Sequence, residues 1–207
     1  MNLTGLLQLV EPTCTDSDYA TYFGLLEPHS HRPVHSLEEL HNAMTALLAD
    51  VIGPTEGVAA GIAFRAMRAG EIKPFQELIE VLSNGRLPTD MCATSLRAGT
   101  ALWERSRRWQ WATPMHEQLD SLTAPAVHHA AAFGALASET TANELRAIAT
   151  YLYRSTRLLI SASSVGLQID ETTARHLLTD CQENITTMAV RFTGGNTAGI
   201  AAIPREF

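Results

Sequence analysis

The feature of this sequence that most constrains its fold is the spacing of its apolar residues, which recur every three or four positions in segment after segment. The clearest case follows Ser36, where Glu39 completes a capping box before a stripe through Leu40, Met44 and Leu47. No segment of the sequence has the sustained alternation of apolar and polar residues that is typical of a half-buried strand. The sequence therefore predicts an all-α protein.

Start and stop signals divide the sequence into about eight to ten helices of one bundle. Pro54 suits the first turn of a second helix, which ends near Gly70. Pro125 predicts the start of a later helix, and residues 170–192 have the pattern of one long amphipathic helix. No repeat, low-complexity tract or linker divides the 207 residues, so we expect a single helical domain.

The segment from Thr141 to Ser163 is predicted to form one long helix. Thr141 and Glu144 have the spacing of a capping box, and apolar side chains then cover nearly all sides of the helix in its middle. A helix of this kind cannot face water along much of its length. We therefore expect it at the centre of the bundle.

Composition bears on location and on the classes of partner. The net charge is −7, with 22 acidic and 15 basic residues, which argues against nucleic acid as a partner. Cys14, Cys92 and Cys181 lie far apart without a CxxC pair, which indicates a reducing compartment rather than a disulfide framework. The sequence has no signal-peptide pattern and no apolar run long enough for a membrane span, so we expect a cytoplasmic protein.

Histidines give the only suggestion of a metal site, and they allow other interpretations. His29, His31 and His35 share one polar loop, where imidazoles can approach an ion such as nickel, but the loop can equally be solvated and empty. His128 and His129 are adjacent on a predicted helix and point about 100° apart. That geometry argues against one shared ion, and a structural role is favoured for at least one of them. We expect no bound metal and no other cofactor.

The sequence does not predict catalysis. Ser161, His176 and Asp180 can be written as a triad, but no strand-turn-helix context supports a nucleophile elbow. The phosphate-binding pattern GxxxxGK[ST] does not occur, which argues against GTP hydrolysis by this chain. The sequence therefore predicts a protein that is not an enzyme.

Three tryptophans and three arginines cluster between residues 103 and 111. Tryptophan and arginine are favoured anchors of protein interfaces, so the cluster can form an aromatic and basic contact surface. The alternative is one buried tryptophan beside a solvated basic face. The sequence leaves both interpretations open.

Residues 193–207 form a glycine-rich C-terminal tail. Its glycines make helix continuation costly, yet Ile200, Ile203 and Phe207 are unusual for a freely solvated end. We expect the tail to dock on the chain's own bundle, on a second copy in a homodimer, or on another protein. Truncation after Phe192 is expected to weaken association with little loss of helix, because no predicted core helix is cut.

Several strings have the order and spacing of one known family: LLQLVEP at residues 6–12, Tyr19 with Gly24 and Leu25, Ser95 with Gly99, PAVHHAAAFG at residues 125–134, and LLISA at residues 158–162. Together they resemble the UreF family of urease accessory proteins. The string at residues 125–134 is the strongest single match, and the order of the strings carries the inference.

This resemblance implies a co-chaperone without bond-making chemistry. UreF proteins are expected to bridge the accessory protein UreD, also called UreH, and the GTPase UreG while nickel is delivered to apo-urease. The resemblance places partner contacts around Tyr19, Gly24 and Leu25, suggests packing or a partner surface for His128 and His129, and makes UreD a candidate for the tail.

A second hypothesis keeps the fold and changes the partners. Ser17 and Asp18 stand where the family usually has a glycine pair before its aromatic residue, and the C-terminal residues differ from the family's arginine-rich end. These differences also suit a diverged all-α interaction protein that binds proteins other than UreG and urease.

Overall fold

The computed structural model of the protein describes residues 2–11, 34–87, 89–119, 127–141 and 143–200. Over these ranges the chain forms nine helices and no strand, which confirms the predicted all-α fold. The helices are α1 (Leu3–Val10), α2 (Leu37–Ala69), α3 (Ile72–Val81, continued by a π-helical turn Leu82–Arg86), α4 (Thr89–Ser106), α5 (Thr113–Leu119), α6 (His129–Thr140), α7 (Glu144–Leu167), α8 (Glu171–Asp180) and α9 (Gln182–Phe192).

Two predicted helix caps have different outcomes. Ser36 caps α2 as predicted, because its Oγ accepts a hydrogen bond from the Glu39 N–H at 3.1 Å. The predicted capping box at Thr141 is wrong. Asn143 caps α7 through a hydrogen bond from the Arg146 N–H to Oδ1 at 3.3 Å, while Thr141 Oγ1 accepts from the Asn143 N–H.

Helix α2 runs through the proline that was predicted to start a new helix. Residues Leu48–Gly57 wind as a π-helix that contains Pro54, and α-helical winding resumes at Val58. Proline lacks an N–H and its ring clashes with the carbonyl four residues earlier in an α-helix, so the wider π winding accommodates it. The prediction at Pro54 is therefore wrong, whereas the predicted end at Gly70 is confirmed by its left-handed φ of 72°.

The segment predicted as one helix over residues 170–192 consists of two helices. Asp170 caps α8, which ends at Asp180, and α9 starts at Gln182, with Cys181 between the two helices. Cys181 is fully buried, and its ψ of −10° departs from helical winding. A turn at a buried cysteine has no glycine or proline to signal it in the sequence. The predicted start at Pro125 lies outside the described residues, and α6 is described from His129.

Small residues allow the central helices to approach closely. In α6 every residue except Glu139 is buried, and the helix lies between α4 and the second half of α2. A Cβ atom on Gly134 would lie 2.1 Å from the carbonyl oxygen of Ala60, and one on Gly99 would lie 1.9 Å from that of Val127. The middle of α7 is also buried, as expected, with Leu152 at 0% exposure.

Contrary to the expectation from the sequence, helix α2 is long and apolar enough to cross a membrane, but its apolar side chains lie inside the protein. It spans 33 residues, and 83% of its most apolar stretch is buried inside the protein. The surrounding helices therefore pack against its apolar surface, which forms part of the hydrophobic core. This is the arrangement of a core helix in a soluble protein rather than that of a membrane span.

Candidate interaction surface

Seven candidate site residues from the sequence analysis lie outside the described residues: Tyr19, Gly24, Leu25, His29, His31, Ile203 and Phe207. Of the three loop histidines, His35 is described; it is exposed, and its backbone N–H donates to Glu39 Oε2 at 2.8 Å. In the described part of the chain, no group of three or more His, Cys, Asp or Glu side chains is placed to hold a metal ion.

His128 and His129 lie inside the protein, with exposed fractions of 0% and 1%. His128 Nε2 lies 3.0 Å from Ser83 Oγ, and its Nδ1 lies 3.3 Å from Ser95 Oγ. The Ser95 hydroxyl oxygen also accepts a hydrogen bond from the His129 N–H at 3.2 Å. A partner cannot reach either imidazole without opening the core, so this position corrects their interpretation as partner contacts and favours packing.

His129 belongs to a chain of hydrogen bonds whose direction follows from chemistry. The Arg154 guanidinium can only donate, so His129 Nε2 accepts from it and Nδ1 carries the proton. That Nδ1–H donates to the Tyr151 hydroxyl at 3.1 Å, and the hydroxyl donates to Glu56 Oε2 at 3.0 Å. The imidazole of His129 is therefore neutral in this arrangement.

Electrostatics agree with this assignment. Burial lowers the pKa of His129 well below its ordinary value, and the nearby positive charge of Arg154 lowers it further. Burial also lowers the pKa of His128 to about 4. Glu56 lies on the π-helical part of α2, so the network ties this segment to α6 and α7. Buried polar networks that are hydrogen-bonded in this way fix the relative positions of packed elements.

Side chains of the tryptophan and arginine cluster make contacts with other residues of this chain. Trp109 is buried, and the Arg105 guanidinium lies 5.8 Å from the centre of its ring. Arg105 also pairs with Glu11 at 3.2 Å, and Trp111 Nε1 donates to Gln8 Oε1 at 2.7 Å. The cluster thus attaches α1 to the bundle through contacts at the C-terminal half of this helix.

The most exposed apolar side chains of the described residues lie on α1 and α9. Leu3 and Leu7 are 57% and 59% exposed, and Val190 is 58% exposed. Between α1, α7 and α9 lies an apolar groove, lined among others by Leu6, Leu7, Val10, Tyr153, Ile185 and Thr186. Thr186 and Val190 are one turn apart on the same face of α9. Exposed apolar surface of this kind marks sites of protein association.

Sequence analysis did not single out this groove. A signal was present in α1, where Leu9 faces the core while Leu3 and Leu7, which are one turn apart, face away from it. A short helix that is apolar on opposite faces needs a second apolar neighbour. The partners of α1 in α7 and α9 come from distant parts of the sequence, so spacing within one helix could not locate the groove.

Ile200 is 1% exposed and belongs to the chain's own core. A short 3₁₀ turn, Thr197–Gly199, places it there, packed near α2 and α3. Of the three docking places considered for the tail, the described residues 193–200 use the chain's own bundle. Ile200 is therefore not a surface contact for a partner, which corrects that part of the prediction.

The described residues thus form an all-α bundle with a buried polar network and an exposed apolar groove. The sequence matches the family model of UreF over residues 34–182. This protein therefore belongs to the UreF family, which confirms the resemblance found in the sequence. It is also 22% identical over 180 residues to the urease accessory protein UreF of Geobacillus kaustophilus (strain HTA426), across 87% of this chain and 79% of that protein. Membership indicates a urease accessory role.

Proposed function

We propose that this protein is a cytoplasmic co-chaperone that joins UreD and the GTPase UreG during the insertion of nickel into apo-urease. The observation that carries the proposal is the UreF match over residues 34–182, which includes α2 to α8 and the buried histidine network. In this role the chain makes and breaks no covalent bonds. Its contribution is to hold partners in one assembly.

Coupling to GTP hydrolysis needs only differential binding. If the assembly binds one nucleotide state of UreG more tightly, it shifts UreG toward that state, and the same free energy strengthens the assembly in return. The sequence lacks the GxxxxGK[ST] pattern, so the nucleotide belongs to UreG. Hydrolysis then changes the affinity within the assembly and allows nickel to be released.

We assign the apolar groove to UreD rather than to UreG. A GTPase that cycles between bound and released states suits a more polar, transient interface, whereas lasting interfaces are larger and more apolar. Leu7 lines the groove and is exposed, and the exposed Leu3 and Val190 lie on α1 and α9, the helices that flank it, which favours a partner that stays bound. A helix or strand with apolar side chains on UreD would cover them.

The test uses Leu3→Ser/Leu7→Ser in the full-length chain, with Thr4→Ser as the matched control on an exposed position of the same helix. The readout is co-purification with UreD, followed by a titration. We expect affinity to fall by at least about tenfold in the double variant, since burying one leucine contributes about 1.5–3 kcal/mol. Thr4→Ser should bind UreD like the native chain.

Two results would contradict the proposal in different ways. Native affinity in the double variant would remove the groove from the UreD interface. A native chain that folds but binds neither UreD nor UreG would instead favour the diverged interaction protein with other partners.

A further inference from the structure

Helix α2 changes its winding halfway along. Residues Leu48–Gly57 wind as a π-helix between the α-helical parts Leu37–Leu47 and Val58–Ala69. Pro54 has no N–H to donate, so the π-helical segment lacks one backbone hydrogen bond. π winding is rare, occurs mostly as single turns and often lies at functional sites. A π-helical segment of ten residues therefore depends on contacts from neighbouring helices.

The first of these contacts is made by α9. A Cβ on Gly53 would overlap the ring of Phe192 and would lie 2.5 Å from the Leu48 carbonyl oxygen, so a side chain there would displace the ring. Earlier on α9, Asn184 Nδ2 donates to Thr45 Oγ1 at 3.1 Å. Helix α9 therefore packs against the π-helical segment and is also bonded to the α-helical part that precedes it.

The second contact is made by α7. The Tyr151 hydroxyl donates to Glu56 Oε2 at 3.0 Å, and the two side chains are buried, with exposed fractions of 0% and 3%. A hydrogen bond to a charged group is stronger than one between neutral groups. Helix α7 thus binds the end of the π-helical segment, just before α-helical winding resumes at Val58.

The two helices that hold the π-helical segment are also two walls of the apolar groove. Helix α7 lines the groove with Thr150 and Tyr153, and α9 lines it with Ile185 and Thr186. The side chains that reach the π-helical segment come from these same two helices. A molecule that fixes α7 and α9 at the groove therefore acts on α2 as well.

We propose that the π-helical segment Leu48–Gly57 is a hinge of α2 that the walls of the groove hold, so that UreD bound in the groove stiffens it. This step rests on the proposed function. Hinges are a few residues that absorb the change in backbone angles between packed elements. When the hinge opens, Leu37–Leu47 moves relative to Val58–Ala69, which stays packed on α6. Groove occupancy thereby sets the position of the start of α2, where Leu37 is 44% exposed.

Hydrogen exchange of the α2 amides in the full-length protein tests the hinge. Tyr151→Phe removes the hydroxyl that binds Glu56, and Phe192→Ala removes the ring that lies over Gly53. We expect exchange of residues 37–57 to become about tenfold faster or more in each variant, because local opening then breaks fewer contacts. Residues 62–69 should keep their native protection.

Each variant has a matched control on the same helix. Thr156→Val removes a buried hydroxyl that donates within α7 itself, to the Leu152 carbonyl oxygen at 2.8 Å. Thr187→Ala shortens an exposed side chain of α9. We expect native exchange of α2 in both controls. Unchanged exchange in Tyr151→Phe and Phe192→Ala, equal acceleration in the controls, or equal loss of protection in residues 62–69 would overturn the hinge.

Exchange in the presence of UreD tests the coupling. We expect UreD to slow exchange of residues 48–57 in the native chain by at least about fivefold, and we expect Tyr151→Phe and Phe192→Ala to bind UreD more weakly, because coupling between two sites is reciprocal. Slower exchange in α1 and α9 without any change in residues 48–57 would overturn the coupling. If the native chain does not bind UreD, the proposed function fails, and exchange in the free variants still decides whether α7 and α9 hold a hinge.

Discussion

At the scale of single residues, burial decides what His128 and His129 can do. Both imidazoles accept or donate within the core, and among the described residues no group of three or more His, Cys, Asp or Glu side chains is placed to hold an ion. Their neutral forms fit the surrounding donors and acceptors. Protonation would place a charge in a site that is arranged for a neutral ring, and for His129 it would add repulsion from Arg154.

This predicts a loss of stability in mild acid. Burial lowers the pKa of His128 from 6.5 to about 4 in the folded chain, so the unfolded chain binds more protons below pH 6.5. The contribution of the neutral His128 to the free energy of unfolding is fully present above pH 6.5 and is lost as the pH falls toward 4. From His128 alone, we expect the free energy of unfolding to drop by about 2 kcal/mol between about pH 7.5 and pH 5.

Urea unfolding at several pH values measures this dependence, and His128→Gln provides the comparison. Glutamine is not titratable and can still bond to Ser83, so the variant should lose part of the pH dependence even if its overall stability is lower. An identical pH dependence in the native chain and the variant would contradict the assigned role of His128.

At the scale of elements, the crossing of α2 and α6 depends on Gly134. Its missing Cβ leaves room for the Ala60 carbonyl, 2.1 Å from where that atom would lie. We expect Gly134→Ala to lower the free energy of unfolding by about 1–3 kcal/mol or more, because helix backbones must move apart. Thermal and urea unfolding, with far-UV circular dichroism, measure this effect.

Gly57→Ala is the matched control in α2. A Cβ there would meet Leu152 Cδ2 at 3.6 Å, which is ordinary van der Waals contact. Alanine also restricts the unfolded chain, so we expect a change between zero and a gain of about 1 kcal/mol. Equal destabilisation by both alanines would mean that the α2 to α6 contact is not the reason for the glycine at 134.

The sequence predicted the elements best where their signals are local. Ser36 and Gly70 were identified correctly, since a cap or a left-handed end depends on a few neighbouring residues. Pro54 was misread because the competing π winding depends on packing by the rest of the bundle. Cys181 was missed because a buried turn between two helices carries no glycine or proline signal.

The candidate site was less predictable than the fold. The roles of His128 and His129 depend on Tyr151, Arg154 and Ser95, which distant helices bring to them. The residues next to His128 and His129 in the sequence are compatible both with packing in the core and with contact to a partner. The groove likewise joins residues that are far apart along the chain, so periodicity in single segments could not identify it.

At the scale of the whole molecule, the bundle combines a rigid interior with surfaces that suit assembly. The buried network and the close glycine contacts fix α2, α6 and α7 relative to each other. The apolar groove and the C-terminal residues 193–200 both lie against this interior. If UreD binds at the groove as proposed, the helices that form the groove are already ordered, and this lowers the entropic cost of association.

The central claim is that this chain is needed to insert nickel into apo-urease through its partners. The most direct measurement is urease activity and protein-bound nickel after apo-urease is incubated with nickel, GTP, UreD and UreG, with and without this protein. The account predicts full activation only with the native chain and GTP, and little activation with Leu3→Ser/Leu7→Ser. Equal nickel content and activity in the presence and absence of the native chain would contradict it.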